Sequence, residues 1–238
     1  METETQSKPR IVRGRVELWV PYNGKEIAFA HPLTGPNTYR EVGAQILRQN
    51  QLIPTGNQTA SLVHASYIPE VENEPEFKDI RQTMRNRYFW IFNRNLWTSE
   101  GVYALQDSNA IGLSEPLNVN DLERMLKGGK EIKGVRFSKD KTLRFAPIGS
   151  YTVGDHTPEE LAEDGFMIVS CGVDGAEKLG EVSSNKEYFK FNPRISIAKT
   201  DDKPIQTVSA LVGYDDSRVH VTGCLVGGWG GYASGVWK

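Results

Sequence analysis

Met84–Asp107 carries the densest aromatic run in the chain, and that run decides much of what can be built around it. Read as a strand, it sends Tyr88, Trp90 and Phe92 to one face and Phe89 and Ile91 to the other. Both faces are apolar and both need cover, which is the pattern of a central strand. Thr98-Ser99-Glu100-Gly101 reads as a turn, with Gly101 free to take φ > 0, and Val102–Leu105 as the returning strand. The fold is expected to be organised about this hairpin. Arginine and asparagine flank the aromatics, a combination that single-stranded nucleic acid uses. Aromatics on two faces are core, however, so only the polar rim at the strand ends is left for contact with a ligand. Arg87 and Arg94 are the candidate ligand or anion contacts there.

The rest of the chain supports an α+β class with a mostly antiparallel sheet built from hairpins, and several short capped helices packed on it. Val16–Val20 and Glu26–His31 flank Asn23-Gly24, a strong hairpin signal. Thr38 and Glu41 make a capping box for a helix with Tyr39, Val42 and Ile46 on one stripe. A second helix is expected over Thr59–Tyr67. A third is capped by Asn73 and Glu76 and buries Phe77, Ile80 and Met84. A fourth is capped by Asn120 and Glu123, and a fifth opens at Thr157-Pro158-Glu159-Glu160. Val135–Phe137 and Thr142–Phe145 form another hairpin. Phe166–Ser170 reads as a buried strand leading into a helix over Asp174–Val182, and Tyr188–Phe191 and Ile195–Ala198 read as strands. A last hairpin, Val208–Tyr214 with Val219–Val226, turns at Asp215-Asp216-Ser217-Arg218. The glycine-rich tail from Gly227 carries Trp229, Tyr232, Val236 and Trp237. These are costly to leave in water, at about 1.5–3 kcal/mol each, so part of it is expected to pack as a final strand.

A chain of 238 residues with 38% hydrophobic and 24% charged residues has an ordinary globular composition. No long linker divides it. One compact domain over residues 15–238 is expected after a disordered lead over residues 1–14, the weakest internal boundary lying at 107–116. A net charge of −2 gives no general attraction to nucleic acid or to an anionic membrane. No apolar run approaches the roughly 20 residues of a membrane span. The first residues lack the apolar core of a secretory signal. With only Cys171 and Cys224 in the chain, a reducing cytoplasm and free thiols are expected. Glu123–Arg144 holds a local excess of Lys and Arg, which reads as a solvated face paired with its acidic neighbours.

The candidate for chemistry is the stretch around Cys171. A cysteine just before a helix start would feel partial positive charge, which favours thiolate. Gly172, Asp174 and Gly175 would let a ligand or anion approach the backbone amides. Of the four histidines, His156 lies in a polar loop and is the candidate general base. No two histidines have metal-ligand spacing, and no phosphate-loop or dinucleotide pattern is present, so no cofactor is expected. Two functions follow. One is a soluble intracellular binding or interaction protein without chemistry of its own, meeting a protein or small-molecule partner and not a membrane or nucleic acid. The other is a small cysteine-dependent acyl- or thiol-transfer enzyme. A cysteine as an inert buried hydrophobe fits the first.

Overall fold

The computed structural model describes residues 8–12, 16–198, 203–213 and 218–238. Most of the expected lead, and the turn expected at Asp215-Asp216-Ser217, lie outside the described residues. The chain opens with β1 (Arg10–Val12), β2 (Glu17–Tyr22) and β3 (Lys25–Ala30), an antiparallel sheet turning at Asn23 and Gly24, both of which take positive φ. After β4 (Thr34–Asn37) comes α1 (Tyr39–Arg48), closed at its start by the Thr38–Glu41 capping box. Helix α2 (Gly56–Ala65) begins earlier than expected because Thr55 and Gln58 form a second capping box. Helix α3 (Pro75–Asn86) has Glu74 before its first proline and no side-chain cap, so the expected Asn73 cap does not form.

The aromatic stretch is strand β5 (Tyr88–Trp97), paired with β6 (Gly101–Gln106). A short 3-10 turn follows, then α4 (Val119–Leu126). Asn118 and not Asn120 caps α4, accepting from the Asn120 and Asp121 amides. Glu123, the expected partner in that cap, is held by Arg136 and by the Tyr103 hydroxyl instead. Strands β7 (Lys130–Ile132), β8 (Val135–Phe137), β9 (Leu143–Pro147) and β10 (Gly154–Asp155) lead to α5 (Pro158–Glu163), whose Thr157–Glu160 capping box is as expected.

The stretch read as a strand over Phe166–Ser170 is helical: it opens α6 (Gly165–Ser184). Asp164 starts that helix by accepting from the Phe166 and Met167 amides, and the apolar run is buried on all sides. Tyr188–Phe191 is also not a strand. The Asn185 carbonyl accepts from the amides of Tyr188 and Phe189 and curls the chain into a turn. Strands β11 (Arg194–Ile197), β12 (Ile205–Val212), β13 (His220–Leu225) and β14 (Gly231–Ala233) complete the chain.

The class is α+β. The large sheet runs β10-β11-β13-β12-β5-β6-β9-β8-β7, antiparallel except at β11–β13, while β14 lies parallel to the start of β5 and antiparallel to β4. Strand β5 thus has β12 on one side, and β14 and β6 in succession on the other. Its two faces bury as the alternation requires. Phe89, Ile91 and Trp97 join the cluster beneath α2, α3 and α6. Trp90 and Phe92 join Tyr39, Val42 and Ile46 of α1. Between these apolar rungs Asn93 donates to the Ser170 carbonyl at 2.6 Å and Asn95 to Ser209 at 2.8 Å, while the Trp97 indole donates to Thr207 at 2.9 Å.

The tail packs as a clasp. Ala30 donates to the Gly235 carbonyl, Trp237 donates to the Ala28 carbonyl, and Leu52 and Val236 exchange hydrogen bonds. Residues 231–238 therefore hold the small sheet against the large one.

Candidate functional site

Cys171 sits inside α6, one residue before Gly172, whose backbone (φ 76°, ψ 169°) breaks the helix into two stretches. The thiol is fully buried, and burial pushes its pKa up to about 12, with the Arg144 guanidinium pulling the other way. At neutral pH this sulfur is an un-ionised apolar group. Gly175 is not a ligand cradle. A Cβ there would come within 2.9 Å of the Cys171 Cβ and 3.2 Å of both the Ala60 Cβ and the Asn57 backbone, so its bare backbone lets α6 lie close against α2. The Asp174 carboxylate is held at 2.8 Å by Lys178, which also donates to Ser61.

His156 is buried and both its ring nitrogens are engaged. Nδ1 lies 2.9 Å from the Gly154 carbonyl, and Nε2 lies 2.7 Å from Thr152 Oγ1 and 3.5 Å from Asp164 Oδ2. The cluster ties the loop before α5 to the start of α6, where Asp164 also accepts from the Thr152 amide at 2.9 Å. Burial raises the Asp164 pKa. No hydrogen bond joins His156 to Cys171.

Arg87 and Arg94 stand seven positions apart on the chain and do not share a site. Arg87 is exposed at the end of α3. Arg94 is buried in mid-strand and donates to the Glu115 carbonyl. Three of the basic residues of 123–144 are ion-paired with carboxylates: Arg124 with Asp121, Lys133 with Glu163 and Glu177, and Arg136 with Glu123. Arg144 is the exception in kind, buried with its Nη1 on the Val169 carbonyl at 3.0 Å. Near it the Arg144 Nε, Asn93 Oδ1 and Ser170 Oγ atoms are buried without a protein partner.

An open concave surface lies elsewhere. A cleft of about 380 Å³ runs between the segment after β3 and the second half of α1, walled by His31, Pro32 and Leu33, by Gln45, Gln49 and Gln51, and by Trp237 of the tail. Sequence reasoning missed it. Gln45 of α1 and Gln49, which closes that helix, are one turn apart, which was visible, but Gln51 and Trp237 join them only through the tail's return.

No family model matches this chain, and no curated protein does. Among solved structures it is similar to one described as "Accommodation of massive sequence variation in Nanoarchaeota by the C-type lectin fold". The identity is 12% and the TM-score 0.47, over 86% of this chain and 95% of that one. A likeness at that level carries no argument about this chain.

The tail divides in two. Ala233, Ser234 and Val236 are buried, whereas Val226 and Trp229 are 66% and 60% exposed on the loop that enters β14.

Proposed function

We propose that the protein is a cytoplasmic binding protein with no covalent chemistry of its own. The observation that carries this reading is the state of Cys171: sealed in the core, its pKa pushed to about 12, with His156 engaged by Thr152 and Gly154. A nucleophile needs a base within reach and a path for substrate, and this thiol has neither. The two thiols are unpaired, Cys171 buried and Cys224 exposed, which supports a reducing compartment.

Native thiol labelling across about pH 5–9 tests it, because a catalytic thiolate reacts far below the ordinary thiol range. Cys224 serves as the internal reference. Cys171 is expected to stay unlabelled until the protein unfolds while Cys224 reacts. Labelling of native Cys171 at a rate above that of Cys224 at the acid end would overturn the reading and restore thiol transfer.

A further inference from the structure

We infer that Asn23 is a site of spontaneous covalent modification: its side-chain amide closes onto the Gly24 nitrogen, and hydrolysis of the ring converts the residue to aspartate and isoaspartate. The inference goes beyond the reading of the protein as a binder and does not depend on it.

Asparagine is among the chemically labile residues, and it closes most readily before glycine, which puts no Cβ beside the nitrogen that must be approached. Asn-Gly occurs once in this chain. It forms the whole connection between β2 and β3, whose last paired residues are Tyr22 and Lys25. Both residues are exposed, with φ of 50° at Asn23 and 71° at Gly24. A Cβ built on Gly24 would meet nothing within 4 Å. Among the described residues, neither the Asn23 side chain nor the Gly24 amide makes a hydrogen bond. The tip is held only by its flanking strands, so the rotation that brings Asn23 Cγ onto the Gly24 nitrogen meets no packing and breaks no bond of the side chain.

The same ring can form at aspartate before glycine, and the fold locks both such pairs. At Asp164-Gly165 the Gly165 amide donates to the Ser150 carbonyl at 2.8 Å, while the Asp164 carboxylate accepts from the Thr152, Phe166 and Met167 amides. At Asp174-Gly175 the carboxylate is on Lys178, and Gly175 lies inside α6 against Cys171 and Ala60. Elsewhere the residue after an exposed asparagine is tied down. The amide after Asn109 donates to the Asp107 carbonyl, and the amide after Asn120 donates to Asn118 Oδ1.

The Gly24 nitrogen attacks Asn23 Cγ as its proton is removed. The new C–N bond forms, the bond from Cγ to the side-chain nitrogen breaks, and ammonia leaves a five-membered succinimide. Water then opens the ring at either carbonyl. Opening at the side-chain carbonyl gives aspartate. Opening at the main-chain carbonyl gives isoaspartate, with the chain routed through the former side chain. Either product adds one negative charge at neutral pH. Aspartate before glycine still suits the turn. Isoaspartate puts an additional carbon into a connection whose length sets the strand register, so the Tyr22–Lys25 end of the β2–β3 ladder comes apart.

Incubation of the full chain at about 37 °C, at about pH 6 and about pH 8, followed by peptide mass mapping, tests the site. A gain of about 1 Da is expected in the peptide holding Asn23 before any other asparagine peptide changes. It should be about tenfold faster or more at the higher pH, because the attacking nitrogen must lose its proton. Isoaspartyl methyltransferase should label the same peptide. A parallel incubation in urea gives the rate for the unfolded chain. First modification at another asparagine, or an Asn23 peptide that changes only in urea, would overturn the inference. The structural consequence has its own readout. Aged protein, separated by ion exchange on its added negative charge, should unfold at a lower urea midpoint than the Asn23→Asp variant, which carries the same charge on an unaltered main chain. Equal midpoints would overturn the loss of the hairpin end.

Discussion

Two glycines constrain the contact between α2 and α6 for different reasons. At Gly56 an added methyl would overlap the Ser170 carbonyl, so Gly56→Ala is expected to destabilise by about 1–3 kcal/mol through overpacking, although alanine is the better helix former. At Gly172 an added methyl meets nothing closer than 3.8 Å, but its φ of 76° with ψ of 169° is a conformation reserved for glycine. Gly172→Ala should therefore cost a similar amount, about 1–3 kcal/mol, through backbone strain. Urea unfolding measures both. A neutral Gly172→Ala would mean that the kink relaxes at no cost. Little of this was legible in the sequence, where the two glycines after Cys171 look like a loop. Only packing tells a close helix contact from a ligand cradle. The same applies to Cys171, whose place shortly ahead of a helical stretch was legible and whose burial was not.

Elements were read well where side chains and backbone announce themselves locally. The Thr38 and Thr157 capping boxes and the alternation of β5 are such cases. They were misread where a short apolar run fits both periods: Phe166–Ser170 is as apolar in a helix as in a buried strand, and only the Asp164 cap separates the two. Strand β13 carries a testable pH response. His220 lies 2.8 Å from Ser196 of the neighbouring β11, and its pKa is pushed from 6.5 down to about 4 by burial, with Arg194 and Arg218 adding to it. The folded protein thus holds this histidine neutral where the unfolded chain would protonate it. Its stability contribution is fully present above the unfolded pKa and is lost as pH falls from 6.5 toward about 4. The loss should be about 1–3 kcal/mol, since the ring keeps part of its contact with water. His220→Gln should flatten that portion of a stability–pH profile; an unchanged slope would assign the loss to other groups.

At the scale of the whole molecule, the tail and β5 do the joining. A chain ending at Gly230 loses β14 beside β4 and β5, the bonds to Ala28 and Ala30, and the exchange between Leu52 and Val236. It is expected to lose cooperative unfolding and near-ultraviolet dichroism, because only side-chain packing of Leu18, Val20 and Phe29 against the core would then hold the small sheet. Retention of both signals would show that the two sheets dock without the clasp. The cleft depends on the same return of the tail, which is why it could not be read from α1 alone. Strand β5 has a further consequence. Alternating apolar residues settle which side of a strand faces inward, but a slip of two residues along a neighbour leaves that alternation intact. The bonds of the Asn95 amide and the Trp97 indole to β12 do not both survive such a slip. A slip one way would bring Leu211 to Asn95 in place of Ser209, and the other way Ile205 to Trp97 in place of Thr207, leaving one of the two unbonded in the core. These polar groups therefore act as an address, admitting one pairing of β5 with β12 out of several that would bury the same aromatics.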